Sequence, residues 1–247
     1  MTERLQASES HDGVAAVDRA FAILAAIAAE AEPSTLAELS RVTGFYKSTI
    51  LRLVASLENV GYVVRLRDGR YSLGASAFRL GLAYERQNLL RQHVLPILND
   101  LVGRGTESAS FHVLHGKDTR LCLFRINSHH ATLDRVEAGN VLPLERGAAG
   151  RVLLAFSREG GTEQAALRRE GYALSRGERD PSCAGIAAPV FGPAGQLAGA
   201  LSLSGPGERF TKSAVATMRA LLLTAAAALT HALGGEARRP AAKRNAG

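Results

Sequence analysis

The apolar positions fall first into a helical rhythm. Val17, Ala20, Phe21, Leu24, Ile27 and Ala28 lie on one face, which predicts an amphipathic helix over residues 14–30, closed off by Pro33. Thr35 and Glu38 form a T-x-x-E capping box ahead of Leu36 and Leu39, so a second, short helix should start there and end at Gly44. Ile50, Leu53, Val54 and Leu57 make the buried stripe of a third helix, closed by Gly61. Two short strand-like runs follow, 62–67 and 70–73. Asp68-Gly69 between them reads as a type I′ hairpin turn, with positive φ at both central residues.

Helix, helix, tight turn, helix and hairpin is the order of a winged helix-turn-helix. In that arrangement the third helix places its N-terminal residues at base edges in the DNA major groove. Those residues are Tyr46, Lys47, Ser48, Thr49 and Arg52, hydroxyls and long cations suited to phosphates and base edges. Arg65, Arg67 and Arg70 make the hairpin basic. A small helical bundle with a solvated basic face is the alternative. The coincidence of turn, helix and basic hairpin favours DNA.

Beyond residue 74 the pattern changes. Residues 75–88, with Phe78, Leu82 and Tyr84, read as a linker helix between two compositional units. Residues 89–101 continue helically with Val94, Leu98 and Leu101 on one face, and Pro96 predicts a break or a fresh start. Short strands are expected at 109–114, 120–126 and 132–136. After a loop with Gly139 and Pro143, helices are expected at 151–156 and 162–170. A hairpin over 185–191 and 196–204 then precedes a final helix, 212–233. The domains expected are a lead-in (1–13), a winged helix-turn-helix (14–74), the linker helix (75–88), an effector-binding domain (89–235) and a basic disordered tail (236–247).

Composition narrows the class. A chain of 247 residues allows one large domain or two modest ones, and 46% hydrophobic with 21% charged residues excludes disorder throughout. Two cysteines exclude a disulfide scaffold and cannot alone make a four-ligand zinc site. The net charge of +7 is concentrated, with net +5 over residues 41–79 and net +3 in residues 236–247. The apolar run 214–233 is interrupted by Arg219 and His231, and the polar N-terminus holds no signal-peptide core. The expectation is a cytoplasmic protein with no membrane partner.

Candidate chemistry is sparse. His129-His130 reads as a solvated pair, because neighbouring residues rarely share a metal. Cys122 reads as core. Cys183 has no identifiable base, and His112 and His115 have no ligand-like spacing to a third group. No cofactor or metal is expected. Two features suit a ligand. Gly147-Ala148-Ala149-Gly150 opens a helix, where small residues and unbonded first-turn N–H groups favour an anion, although close packing would explain them as well. Ser202 and Ser204 lie two apart on a strand, so their hydroxyls face one way and Leu201 and Leu203 the other; an exposed strand face would also account for them.

In sequence order these stretches resemble the IclR family of bacterial transcription regulators. The resemblance rests on Ala16-Val17-Asp18-Arg19-Ala20, the run Lys47 to Leu53, Gly61-Tyr62-Val63 with Arg70-Tyr71-Ser72-Leu73, Pro143-Leu144 with Gly147 to Leu154, Ile186 to Phe191, and Leu201 to Pro206. It implies a two-domain fold, a winged helix-turn-helix plus an α+β GAF-like effector-binding domain. It further implies homodimers or homotetramers on roughly palindromic double-stranded operator DNA, and a small organic-acid effector, often aromatic. The effector's carboxylate would meet backbone groups at Ala148 and Ala149, beside Gly147, and the hydroxyls of Ser202 and Ser204. Tyr46 stands where proline is common, and Arg151 where lysine is usual. Gly185 and Ser175 stand where some members carry a pocket cysteine and a pocket acid, which leaves room for a bulkier, apolar acid. With no Arg or Lys at the matched positions, backbone donors should carry the carboxylate.

The leading expectation is an effector-responsive regulator, repressor or activator, of an adjacent catabolic operon, and not an enzyme. The alternatives are an enzyme using Cys183 or a histidine of the C-terminal domain, and an architectural DNA-binding protein without a ligand.

Overall fold

The structure, a computed structural model, describes residues 13–87, 90–158 and 160–236. The lead-in before residue 13 and the tail beyond residue 236 lie outside the described residues. The chain divides into two compact units, Met1–Gln87 and Asn88–Gly247.

The first unit holds α1 (Ala15–Ala28), α2 (Leu36–Thr43), α3 (Lys47–Asn59), the hairpin β1 (Val63–Arg65) and β2 (Tyr71–Leu73), and α4 (Ala75–Gln87). The capping box forms as its sequence predicts. The Thr35 hydroxyl accepts the Glu38 N–H, and the Glu38 carboxylate accepts the Thr35 N–H at 2.7 Å. Gly44 ends α2 with φ +72°, a left-handed turn that glycine adopts without strain. Ile23, Ile27, Leu39, Ile50, Val54, Leu57, Val63 and Tyr71 form this unit's core. Ser34 and Tyr71 exchange backbone hydrogen bonds, so the segment before α2 pairs with the wing.

The wing turn differs from the expected type I′. Only Gly69 has positive φ (+86°). The Gly69 N–H donates to Leu66 O, and Leu66 and Arg70 pair beyond it. The loop therefore has three residues, Arg67 to Gly69, with glycine alone in the left-handed position, as in a hairpin closed by a bulge.

The second unit holds α5 (Leu90–Gly103), β3 (Ser108–His115), β4 (Thr119–Ile126), β5 (Val141–Pro143), α6 (Ala148–Ser157), α7 (Thr162–Glu170), β6 (Ala173–Arg176), β7 (Cys183–Phe191), β8 (Leu197–Pro206) and α8 (Lys212–Ala232). Its six strands form one antiparallel sheet in the order β5-β4-β3-β8-β7-β6. One face buries Phe111, Phe124, Ile186, Leu201 and Leu203 against Val94 and Leu98 of α5 and Met218, Leu222 and Leu229 of α8. The other face is floored by small residues, Ala173, Ala187 and Ala200, against which Val152 and Leu153 of α6 and Leu167 of α7 pack. Small side chains on this face let α6 lie close to the sheet.

Several expectations are corrected. Residues 132–136 form no strand; they are an irregular segment in which Asp134 is buried. The segment read as a loop around Pro143 contains β5, and β6 was not expected at all. Both are short edge strands whose periodicity spans too few residues to register. α5 runs through Pro96 without a break. Pro96 and Gln92 both face solvent, so the carbonyl that loses its helical donor can be met by water, and Val94 and Leu98 hold the helix down. α8 is, among the described residues, one helix long and apolar enough to cross a membrane, but its apolar stripe is spent on the core of this unit.

Candidate functional site

In the first unit, Tyr46, Lys47, Ser48 and Arg52 are exposed on the N-terminal half of α3, and Thr49 is half-buried beside them. Ile50, Val54 and Leu57 turn inward, which fixes the rotation of the helix and aims the polar residues outward. Tyr46 caps α3 without a side-chain acceptor, so first-turn N–H groups stay open, as a helix end facing phosphate requires. On the wing, Arg67 is exposed and the Arg65 guanidinium lies 5.9 Å from the Tyr71 ring. Arg70 is half-buried and bound to Asp68 at 2.7 Å. Its charge is therefore partly spent within the hairpin.

In the second unit, Gly147, Ala148, Ala149, Ser175, Gly185, Ser202 and Ser204 all line one cavity between the N-terminus of α6 and the small-residue face of the sheet. Register explains the convergence. Ser175 pairs with Gly185, Gly185 with Ser204, and Ser204 with Ser108, so these residues form one row across β6, β7, β8 and β3. The next row runs Ala173, Ala187, Ser202, Ser110 and Arg125. Directly paired residues share a face, so Ser202 and Ser204 face α6 while Leu201 and Leu203 enter the opposite core.

The close approach of α6 has a steric cause. A Cβ on Gly150 would stand 2.2 Å from Leu144 O and 2.7 Å from Arg120 Nη1. The glycine therefore serves close packing as well as leaving the backbone bare. The α6 N-terminus is already partly capped. The Ala148 N–H donates to Ser175 Oγ at 3.0 Å and the Gly147 N–H to Glu178 Oε2 at 2.8 Å. Glu178 in turn is paired with Arg151 at 3.1 Å.

The same cavity is lined by Arg120, Val136, Glu178, Arg179 and Asp180, which the sequence pattern did not single out, and by His112 and Cys183, which it did not place at the ligand site. The wall is therefore charged, with cations and carboxylates both present, rather than built of neutral donors. Asp134 is buried and binds both Arg125 and Arg179, the latter at 3.2 Å. Burial lowers the Arg120 guanidinium to about 10 and, with Arg120, Arg125 and Arg179 around it, holds His112 well below the usual imidazole range. Cys122 is buried and its thiol is pushed up to about 11, mainly by desolvation, which suits an inert core residue. His130 lies 3.7 Å from the buried Glu107, itself bidentate to Arg209.

A winged helix-turn-helix in one chain with an α/β unit that encloses a polar cavity defines a DNA-binding transcription regulator. Residues 16–67 match the IclR helix-turn-helix domain, and residues 161–231 match the bacterial transcriptional regulator IclR C-terminal domain. The chain is 30% identical to the HTH-type transcriptional regulator BhcR of Paracoccus denitrificans, over 90% of this chain and 88% of that protein. The crystal structure of an IclR transcriptional regulator from Silicibacter superposes with a TM-score of 0.76 at 25% identity, covering 91% of this chain and 98% of the other. An IclR homologue from Microbacterium hydrocarbonoxydans, complexed with 4-hydroxybenzoate, shares the fold with a TM-score of 0.69 at 24% identity, covering 88% and 100%. The chain belongs to the IclR family of bacterial transcription regulators. It is therefore a DNA-binding transcription regulator.

Proposed function

We propose that the protein is an operator-binding regulator of an adjacent catabolic operon, cytoplasmic and homodimeric or homotetrameric, whose DNA affinity is set by a small organic acid in the cavity of the second unit. One observation carries the reading. Gly147, Ala148, Ala149, Ser175, Gly185, Ser202 and Ser204, far apart in sequence, meet at one helix N-terminus in a chain whose other unit exposes Lys47, Ser48 and Arg52. On this reading Tyr46, Lys47, Ser48, Thr49 and Arg52 contact the major groove, and Arg65, Arg67 and Arg70 the backbone. Two half-sites are needed for useful specificity, which supports a two-fold dimer.

The cavity volume is about 40 Å³. This small free space favours a compact acid over the aromatic or branched acid suggested by the small side chains at Gly185 and Ser175. The 4-hydroxybenzoate held by the Microbacterium protein marks the aromatic alternative. A gel-shift on the intergenic DNA beside the gene, with and without acids of both sizes, is the test. Retarded DNA whose mobility responds to an acid is expected. DNA binding indifferent to every acid would leave an architectural protein, and no DNA binding would overturn the reading.

A further inference from the structure

The cavity wall contains a cation with no carboxylate partner among the described residues. Arg120 is 3% exposed and, among the described residues, no carboxylate lies within ion-pairing distance of it. Nη1 donates to the Pro143 carbonyl, but Nε is buried with no hydrogen-bond partner. The other cations at this end each touch a carboxylate: Arg125 and Arg179 share Asp134, and Arg151 pairs with Glu178. A Cβ on Gly147 would stand 3.4 Å from Arg120 Nη2, so the guanidinium lies directly against the N-terminus of α6. A buried cation beside the positive end of a helix dipole is doubly unfavourable unless an anion joins them.

His112 supplies a second, independent opening. It is 4% exposed, lines the same cavity, and has Nε2 3.0 Å from Ser110 Oγ. Its Nδ1 is buried and without a partner. Buried polar atoms are rarely left unpaired, and here two sit in one cavity wall.

We infer that Arg120 and His112 are the specificity-determining residues of the ligand site: the guanidinium holds the effector's carboxylate against the first turn of α6, and the His112 imidazole reads a hydroxyl on the neighbouring carbon. The inference rests on the effector reading of this cavity and deepens it to a class, a short 2-hydroxy acid. A hydroxyl both donates and accepts, so it meets Nδ1 in either tautomer. The small cavity, about 40 Å³, favours a short acid. Arg120 replaces the backbone as the chief anion partner, because a guanidinium–carboxylate contact is charge-assisted.

The test is calorimetry on the full chain with acetate, glycolate, propionate, lactate and benzoate, for wild type, Arg120→Met and His112→Ala, alongside thermal melts and operator binding without acid. Glycolate and lactate should bind wild type at least about tenfold tighter than acetate and propionate, since each pair differs by one hydroxyl. His112→Ala should erase that preference while keeping carboxylate binding. Arg120→Met should weaken every acid about a hundredfold. Its unliganded melting temperature should hold or rise, because the variant removes a buried unpaired charge; a merely structural arginine would lower it. Acids that bind wild type and Arg120→Met alike overturn the inference and leave the effector reading intact. Wild type that binds operator but none of these acids overturns the inference and the acid-effector reading together.

Discussion

Ser175 Oγ accepts the Ala148 N–H at 3.0 Å, so an edge-strand hydroxyl caps the helix that opens the cavity. The sequence offers no capping residue of its own there, since Gly147 is the N-cap and has no side chain. The cap comes from β6, twenty-seven residues on. Because the Ser175 oxygen accepts from the backbone, its proton remains free to donate into the cavity. Ser175→Ala should therefore cost ~1 kcal/mol of stability, the usual value of an N-cap, and also weaken acid binding. Urea denaturation and calorimetry on the same variant check the two effects. Unchanged stability would show that the cap contributes nothing.

Lys47→Ala and Arg52→Ala should each lower operator affinity by about 1–3 kcal/mol and relax specificity at the position they read. Arg67→Ala should weaken binding to all sequences alike and reduce the salt slope by about 1. Arg70→Ala should do less than Arg67→Ala, because Arg70 is already bound to Asp68 at 2.7 Å. Fluorescence anisotropy over a salt series, on operator and scrambled DNA, separates these outcomes. Wild-type binding by the Lys47 and Arg52 variants would show that α3 is not the reading helix.

The winged unit was readable because its signals are local: Thr35 and Glu38 are three residues apart, and the stripe of α3 falls within two turns. Ser202 and Ser204 were readable because β8 is regular where they lie. Arg120 was not. It lies five residues before Arg125, and simple alternation sends two such residues to opposite faces. In β4, however, Phe124 pairs with Phe111 and Cys122 with His112, which leaves Leu123 as an extra, bulged residue. The bulge returns Arg120 and Cys122 to the face of Arg125, and no period-2 reading recovers that. The charged wall also draws on Glu178, Arg179 and Asp180 from the loop between β6 and β7, whose convergence on the cavity no local pattern encodes.

α4 has no buried residue, and Phe78, Leu80, Leu82 and Tyr84 are exposed on it, Phe78 by 69%. A helix with this many exposed apolar residues is expected to find a partner, and a dimer seam through Phe78 and Leu82 would cover them. Phe78→Glu with Leu82→Glu should shift the protein towards monomer in analytical ultracentrifugation and lower operator affinity with it. A double variant that sediments as wild type would move the seam elsewhere.

His112 makes the fold itself sensitive to mild acid. Desolvation first, then Arg120, Arg125 and Arg179, keep it neutral in the folded state well below the usual imidazole value of 6.5. Cys122, paired with it across the strands, is also held neutral, and no carboxylate is among the groups acting on His112. The unfolded chain takes up a proton at this residue near the ordinary value and the folded chain does not, so the unfolded state binds more protons as pH falls. The contribution of neutral His112 is thus complete above about pH 6.5 and declines steadily below it. The carboxylates held low by hydrogen bonds, Glu38 to Thr35, Asp68 to Arg70 and Asp180 to Ser182, lose their contribution in a lower window, below their ordinary values of 4.5 and 3.8. Urea denaturation between about pH 7 and pH 5 therefore isolates the histidine effect. Wild type should lose stability across that interval, and His112→Gln, neutral throughout and able to bond Ser110, should lose measurably less. Equal slopes for the two proteins would mean that the His112 side chain takes up its proton without unfolding.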